Sequence, residues 1–237
     1  MIHNLLLEFF STALMILFGV GVHCDGVLNK TKYHGSGHLF AITTWAFGIT
    51  VCLYVFGGVC MNPAMVLCQT ILGLLPPGVA IPYMVADMLG AFAGALVVYV
   101  MYADQFKASE DDVDPVAIRN IFSTNPICID LIRNWFVECL DTAIFLTGIL
   151  MIVKNYGQQV PIGVGLLVWA VGMGLGGVTG FAMNQARDLG PRMAYQLLPI
   201  KNKTDNNWQY GLLVPGTAPF AGAILSALFL RYFLGAF

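Results

Sequence analysis

Thr179-Gly180-Phe181-Ala182-Met183-Asn184-Gln185-Ala186-Arg187-Asp188-Leu189-Gly190-Pro191-Arg192 is the stretch on which the reading of this chain turns. Asn184 is a favoured helix N-cap, so Gln185-Ala186-Arg187 reads as the first turn of a helix. The segment that follows, about 184–198, is too short to cross a bilayer, which takes about 20 apolar residues. A second short apolar segment, about 62–73, opens with Asn62-Pro63-Ala64. Pro63 suits the first helical position, because the N–H it lacks would be an orphan there anyway. Pro76 and Pro77 mark the end of that segment.

Around these two segments lie six apolar stretches long enough to span a membrane, roughly 5–22, 39–57, 80–102, 134–153, 160–178 and 211–234. The halves repeat. Glu8 with Thr12-Ala13 returns as Glu138 with Thr142-Ala143, and Trp45-Ala46-Phe47-Gly48 as Trp169-Ala170-Val171-Gly172. Asn62-Pro63-Ala64 returns as Asn184-Gln185-Ala186, and Phe92-Ala93-Gly94-Ala95 as Phe220-Ala221-Gly222-Ala223. Four matches in order at nearly one offset are an internal duplication. An odd number of spans per half sends the second half into the membrane from the opposite side, an inverted repeat. The expectation is one channel domain over 1–237, built of repeats at about 1–103 and 133–237 joined by a polar loop, 104–132, of which 104–119 reads as solvated.

Composition agrees. The chain is 58% hydrophobic and only 10% charged, against about 25% charged in soluble domains. A net charge of −2 gives no basic field for nucleic acid. Of the six cysteines, Cys52, Cys60, Cys68 and Cys139 sit in or beside apolar runs without metal-ligand spacing, so they read as small buried hydrophobes, and no cofactor or metal is expected.

A half-helix that begins inside the membrane exposes free backbone N–H groups and about half a positive charge at its N-terminus. Such an end is tolerated where it lines water or is buried in protein. Two of them meeting near the midplane oppose cations and protons, while a neutral solute with hydroxyls can exchange hydrogen bonds with Asn62 and Asn184. Arg187, just inside the second half-helix, reads as a donor near one mouth of the pore; a charge here costs several kcal/mol unless it faces water or a partner. Glu8 and Glu138, on the first span of each half, read as acceptors for backbone N–H groups of the re-entrant loops, with proton coupling as the alternative. Asp87 and Asp141 have no assignment beyond helix-end or loop anchoring. No His pair, nucleophile–base spacing or metal cluster suggests an enzyme.

These motifs resemble the major intrinsic protein (aquaporin) family over essentially the whole chain. The stretch 179–192 resembles the second half-helix of bacterial glycerol facilitators, and Asp188 directly after Arg187 is typical of that branch. The run Thr43-Thr44-Trp45-Ala46-Phe47-Gly48, the short first re-entrant loop and Trp208-Gln209-Tyr210-Gly211 are similar to the lactic acid channels of lactic acid bacteria. The resemblance implies an all-α membrane protein with an aquaporin-like fold, six transmembrane helices plus two re-entrant half-helices, assembled as a homotetramer. It implies a narrow filter of Trp45, Gly172, Phe181 and Arg187, Trp45 and Phe181 forming its greasy side. The implied function is a passive channel for lactic acid, glycerol and water in the cell membrane, the alternative being a proton-coupled transporter of a small organic acid. Gln185 stands where the family has proline, Asp87 where glutamine is common, and Val59-Cys60-Met61 lacks the usual small residues and histidine. Loop charges put the termini outside by the positive-inside rule; the resemblance puts them in the cytoplasm, which we follow.

Overall fold

The computed structural model describes residues 1–237, the Gln158 side chain excepted. Among these residues it is helical, without strands. The first half comprises α1 (Ile2–Val27), α2 (Gly37–Phe56), the short α3 (Pro63–Leu72) and α4 (Pro77–Met101). Two small helices follow, α5 (Ala103–Ala108) and α6 (Pro115–Phe122). The second half comprises α7 (Leu131–Tyr156), α8 (Val160–Gly174), the short α9 (Gln185–Leu197), α10 (Trp208–Leu213) and α11 (Ala218–Leu228), closing with one π turn at Phe229–Phe233.

Five apolar helical runs are long enough to cross a membrane: α1, α2, α4, α7 and the run Trp208–Phe233. The sixth span, α8, has 15 residues of regular helix and is lengthened by the turn Gly157–Gln159 before it. It stops at Gly174 rather than at 178, because Gly174, Gly176 and Gly177 fall together and glycine weakens a helix by about 1 kcal/mol per residue. The last span is broken between α10 and α11, where Pro215 has no N–H to give and crowds the preceding turn.

The connector 104–132 corrects the expectation of a solvated loop. Asp114 accepts from the Val116 amide at 2.9 Å, and Pro115 fills the first position of α6. Phe106, Ile118, Ile121 and Phe122 are then buried in the main core, with the Phe106 and Phe122 rings stacked at 5.9 Å. Ile127 and Ile129, just before α7, are exposed, and the acidic edge of the connector also stays wet. There Glu110 receives Lys201 at 2.7 Å, a contact that raises the Lys201 ammonium above the ordinary lysine pKa.

The helices pack as two intertwined halves. α1 lies on α4 and α2, and α7 on α11 and α8. The repeat glycines mark close crossings: a Cβ on Gly94 would come 2.6 Å from the Ala13 carbonyl oxygen, and one on Gly222 would come 2.4 Å from that of Cys139. Each half-helix packs against the last span of the opposite half, α3 on α11 and α9 on α4. This exchange brings the two half-helix N-termini together in the interior.

Candidate functional site

The N-terminus of each half-helix is built the same way. Asn62 and Asn184 have nearly identical cap conformations, φ −161° with ψ 112° and φ −161° with ψ 115°. Asn62 Oδ1 accepts from the Ala64 amide at 2.9 Å; Asn184 Oδ1 accepts from Ala186 at 2.9 Å and Arg187 at 3.3 Å. With each oxygen committed, each Nδ2 turns to the other half. Asn62 Nδ2 donates to the Met183 carbonyl at 2.9 Å, and Asn184 Nδ2 donates to the Met61 carbonyl at 2.7 Å. A side-chain amide has two N–H groups, so one on each asparagine is left for something else.

Met61 and Met183 take up left-handed backbone, φ 51° and 48°, unusual for residues with a side chain. Such conformations cost of order 1–3 kcal/mol and need outside support. The two carboxylates supply it. Glu8 accepts from the Cys60 amide and, at 3.0 Å, from Met61; Glu138 accepts from Ala182 at 2.9 Å and Met183 at 2.8 Å. Both glutamates are buried and reach loops more than forty positions away in sequence. Asp87 is fully buried on α4, accepts from Thr12 Oγ1 at 3.1 Å, and lies beside Glu8 and the Asn62 amide. Asp141 is buried with Glu138 as its charged neighbour.

On one side of the tied asparagines lies a cavity of about 780 Å³. Its wall is mostly apolar (Met15, Ile49, Leu53, Met65 and Phe145), with Gly57, Gly58, Val59, Cys60 and Met61 along one edge and Asn62 and Asn184 at its inner end. The short first re-entrant loop therefore lines a wide vestibule.

On the other side stand Trp45, Arg187, Phe181 and Gly172. The Arg187 guanidinium lies over the Trp45 ring, 4.5 Å from its centroid, a cation–π geometry. It donates no hydrogen bond to another described residue, and its nitrogens are not among the sealed polar atoms, so its donors are free. Phe181 has φ 43°, and its ring covers the α8 face where a Cβ at Gly172 would meet it at 3.2 Å and one at Gly176 at 2.4 Å. A Cβ at Gly172 would also meet Ile42 at 2.8 Å, so Gly172 makes room for both side chains. Trp169, the repeat mate of Trp45, is elsewhere: its half-exposed indole donates to Thr43 Oγ1 on the outer wall.

Gln185 is buried at N1 of α9, and neither its Nε2 nor its Oε1 has a partner among the described residues. The cap at Asn184 forms without proline.

Two parts of the site are not read from the sequence. The first is the support behind Arg187. Asp188 and Arg192, both fully buried, pair at 2.8 Å one turn apart on α9. Asp188 also accepts from the Thr124 amide (2.8 Å) and hydroxyl (2.7 Å), while Arg192 donates to the carbonyls of Thr124, Asn206 and Asn207. The i,i+4 spacing of opposite charges in an apolar segment is a signal that could have paired them. The second is the seat of Trp45: a Cβ on Gly19 would fall 2.1 Å from its ring, and its indole Nε1 donates to His23 Nε2 at 3.3 Å. No local pattern in the sequence links 19 and 23 to 45.

Comparisons with known proteins agree with this geometry. Residues 1–230 match the family model described as Major intrinsic protein. The glycerol uptake facilitator protein 4 of Lactiplantibacillus plantarum is 64% identical over 237 residues, covering 99% of each chain. The D/L-lactic acid transporter of the same organism is 60% identical over 237 residues, again covering 99% of each. The X-ray structure of the aquaglyceroporin from Plasmodium falciparum shares the fold, with a TM-score of 0.85 at 24% identity over 98% of this chain and 96% of that one. Six spans, two half-helices joined at their N-termini and these relatives lead to one assignment: the chain is a multi-pass membrane protein belonging to the major intrinsic protein family.

Proposed function

We propose that the chain is a passive pore for small uncharged solutes, lactic acid and glycerol together with water, and not an enzyme. The observation that carries this reading is the junction of the half-helices. Two positive helix ends face each other at one depth, which opposes cations and protons. One N–H on each of Asn62 and Asn184 remains for a passing oxygen, between an apolar vestibule and the free donors of Arg187. Trp45, Gly172, Phe181 and Arg187 act as the filter, the two rings taking a carbon backbone and Arg187 the oxygens. Asn62-Pro63-Ala64 and Asn184-Gln185-Ala186 are the pore motifs, and Glu8 and Glu138 hold the loops in place. Relatives named for glycerol uptake and for lactic acid transport support the solute class. The two repeats, about 1–103 and 133–237, form a single domain that assembles as a homotetramer in the cell membrane with cytoplasmic termini.

The solute passes uncharged. A lactate anion would leave its hydration shell against walls such as Phe181, at a cost of several kcal/mol, whereas the undissociated acid avoids that cost. Its carboxyl titrates near pH ~4, so each pH unit above lowers the neutral fraction about tenfold. Stopped-flow uptake into proteoliposomes at fixed total lactate should fall about tenfold per unit from about pH 5 to pH 7 while glycerol uptake stays level. A flat lactate flux, an accompanying current, or saturating uphill uptake driven by a pH gradient would refute the passive, neutral mechanism.

A further inference from the structure

We propose that His23 is a fifth group of the filter, and that it sets preference for a short 2-hydroxy acid over a polyol. The inference rests on the pore reading above. His23 and Gly19 lie one helical turn apart on α1 and together form the seat of Trp45. The indole crosses the space a Cβ at Gly19 would fill, and its Nε1–H is held by His23 Nε2 at 3.3 Å. The two rings are 6.4 Å apart at 52°. The same Trp45 ring carries the Arg187 guanidinium on its face at 4.5 Å. Arg187 and His38 are the charged or titratable neighbours of His23. One imidazole therefore stands next to the two filter residues that a solute must pass.

Two consequences follow for a solute. First, the indole N–H is used within the wall, so the solute meets only the hydrocarbon of Trp45. Second, a neutral imidazole that accepts at Nε2 carries its proton on Nδ1. Nδ1 meets no protein acceptor among the described residues and is not one of the sealed polar atoms. It is a spare donor near the free donors of Arg187. A carboxylic acid with a neighbouring hydroxyl presents acceptor oxygens in two directions, which two separate donors satisfy together. Glycerol has hydroxyls alone, each able to donate as well as accept, and depends less on an added donor.

The test is a pair of permeabilities, lactic acid and glycerol, measured at about pH 5 in proteoliposomes of the full chain. His23→Leu keeps bulk and removes both nitrogens. Its lactic acid to glycerol ratio should fall about five- to tenfold, the worth of one neutral hydrogen bond, whatever the change in glycerol flux itself. His23→Gln, which can still accept and donate, should recover most of the ratio. A parent ratio in His23→Leu, or no recovery in His23→Gln, overturns the proposal. His23→Met is the second apolar variant; if neither apolar variant assembles with glycerol flux, His23 belongs to folding and the proposal is also overturned. A parent that conducts neither solute would instead refute the pore reading.

Discussion

Asp188→Asn should destabilise the protein strongly without changing its shape. The Asp188 carboxylate receives four hydrogen bonds at full burial: Arg192 Nε at 2.8 Å and Nη2 at 3.2 Å, and the Thr124 amide and hydroxyl at 2.8 and 2.7 Å. An asparagine can keep its oxygen toward Arg192 only by turning its NH2 toward Thr124. The Thr124 hydroxyl can reverse and accept, but its amide N–H cannot and is left unpaired, which costs about 1–3 kcal/mol. Arg192 loses its counter-charge while still buried; breaking such a pair costs about 3–5 kcal/mol. Arg192 keeps three backbone carbonyls, so the lower end of the combined range of about 4–8 kcal/mol, about 4–5 kcal/mol, is expected. At about 2–4 °C per kcal/mol for a chain of this length, the melting midpoint in detergent should drop by roughly 8–20 °C. The assay is thermal unfolding followed by tryptophan fluorescence, with Thr124→Val as a control that loses only one hydroxyl and about 1 kcal/mol. Replacing the pair together, Asp188→Leu with Arg192→Met, should recover much of the loss, because no lone charge remains buried. An Asp188→Asn midpoint within about 2 °C of the parent, or a double variant worse than the single one, would refute the reasoning.

Four further outcomes are expected. Phe181→Ala empties the apolar side of the proposed filter, so a four-carbon polyol should gain on glycerol in vesicle uptake; unchanged size selection would remove Phe181 from that proposal. Gln185→Pro removes a buried amide with no partner at a position where proline needs no N–H, so flux should persist and thermal stability hold or rise. Gly90→Ala places a Cβ 2.3 Å from the Phe9 carbonyl oxygen, a backbone obstacle that cannot swing aside, and should cut the yield of folded protein severely. Gly19→Ala meets only the Trp45 side chain, so it should assemble but conduct glycerol several-fold more slowly in the same uptake assay.

The spans and the half-helices were legible because both depend on local chemistry. Runs of apolar residues reveal a span, and an asparagine before a short apolar helix reveals a cap. Repetition supplied what a single motif could not, since the pairing of Asn62 with Asn184 and of Glu8 with Glu138 follows from matched order. The connector was misread because its charge at 104–114 hid the apolar face of α6. Ile118, Ile121 and Phe122 recur at helical spacing, yet they became a core surface only once the loop folded back. The ends of spans were misjudged where composition and backbone disagree: hydropathy continues through Gly176 and Pro215, but the helix does not. Trp169 shows that a repeat match does not transfer surroundings: its indole meets Thr43, whereas that of Trp45 meets His23. His23 and Gly19 were beyond reach because their partner is on another helix and neither lies in a motif.

The exchange of hydrogen bonds between Asn62 and the Met183 carbonyl, and between Asn184 and the Met61 carbonyl, also constrains the order of biosynthesis. While the nascent chain has only its first three spans in the bilayer, the re-entrant segment at Met61–Asn62 has Glu8 but not the second-half carbonyl to which Asn62 donates. Residue 183 is made more than a hundred positions later. Each tie joins the two halves, so neither can form until the second half is in place.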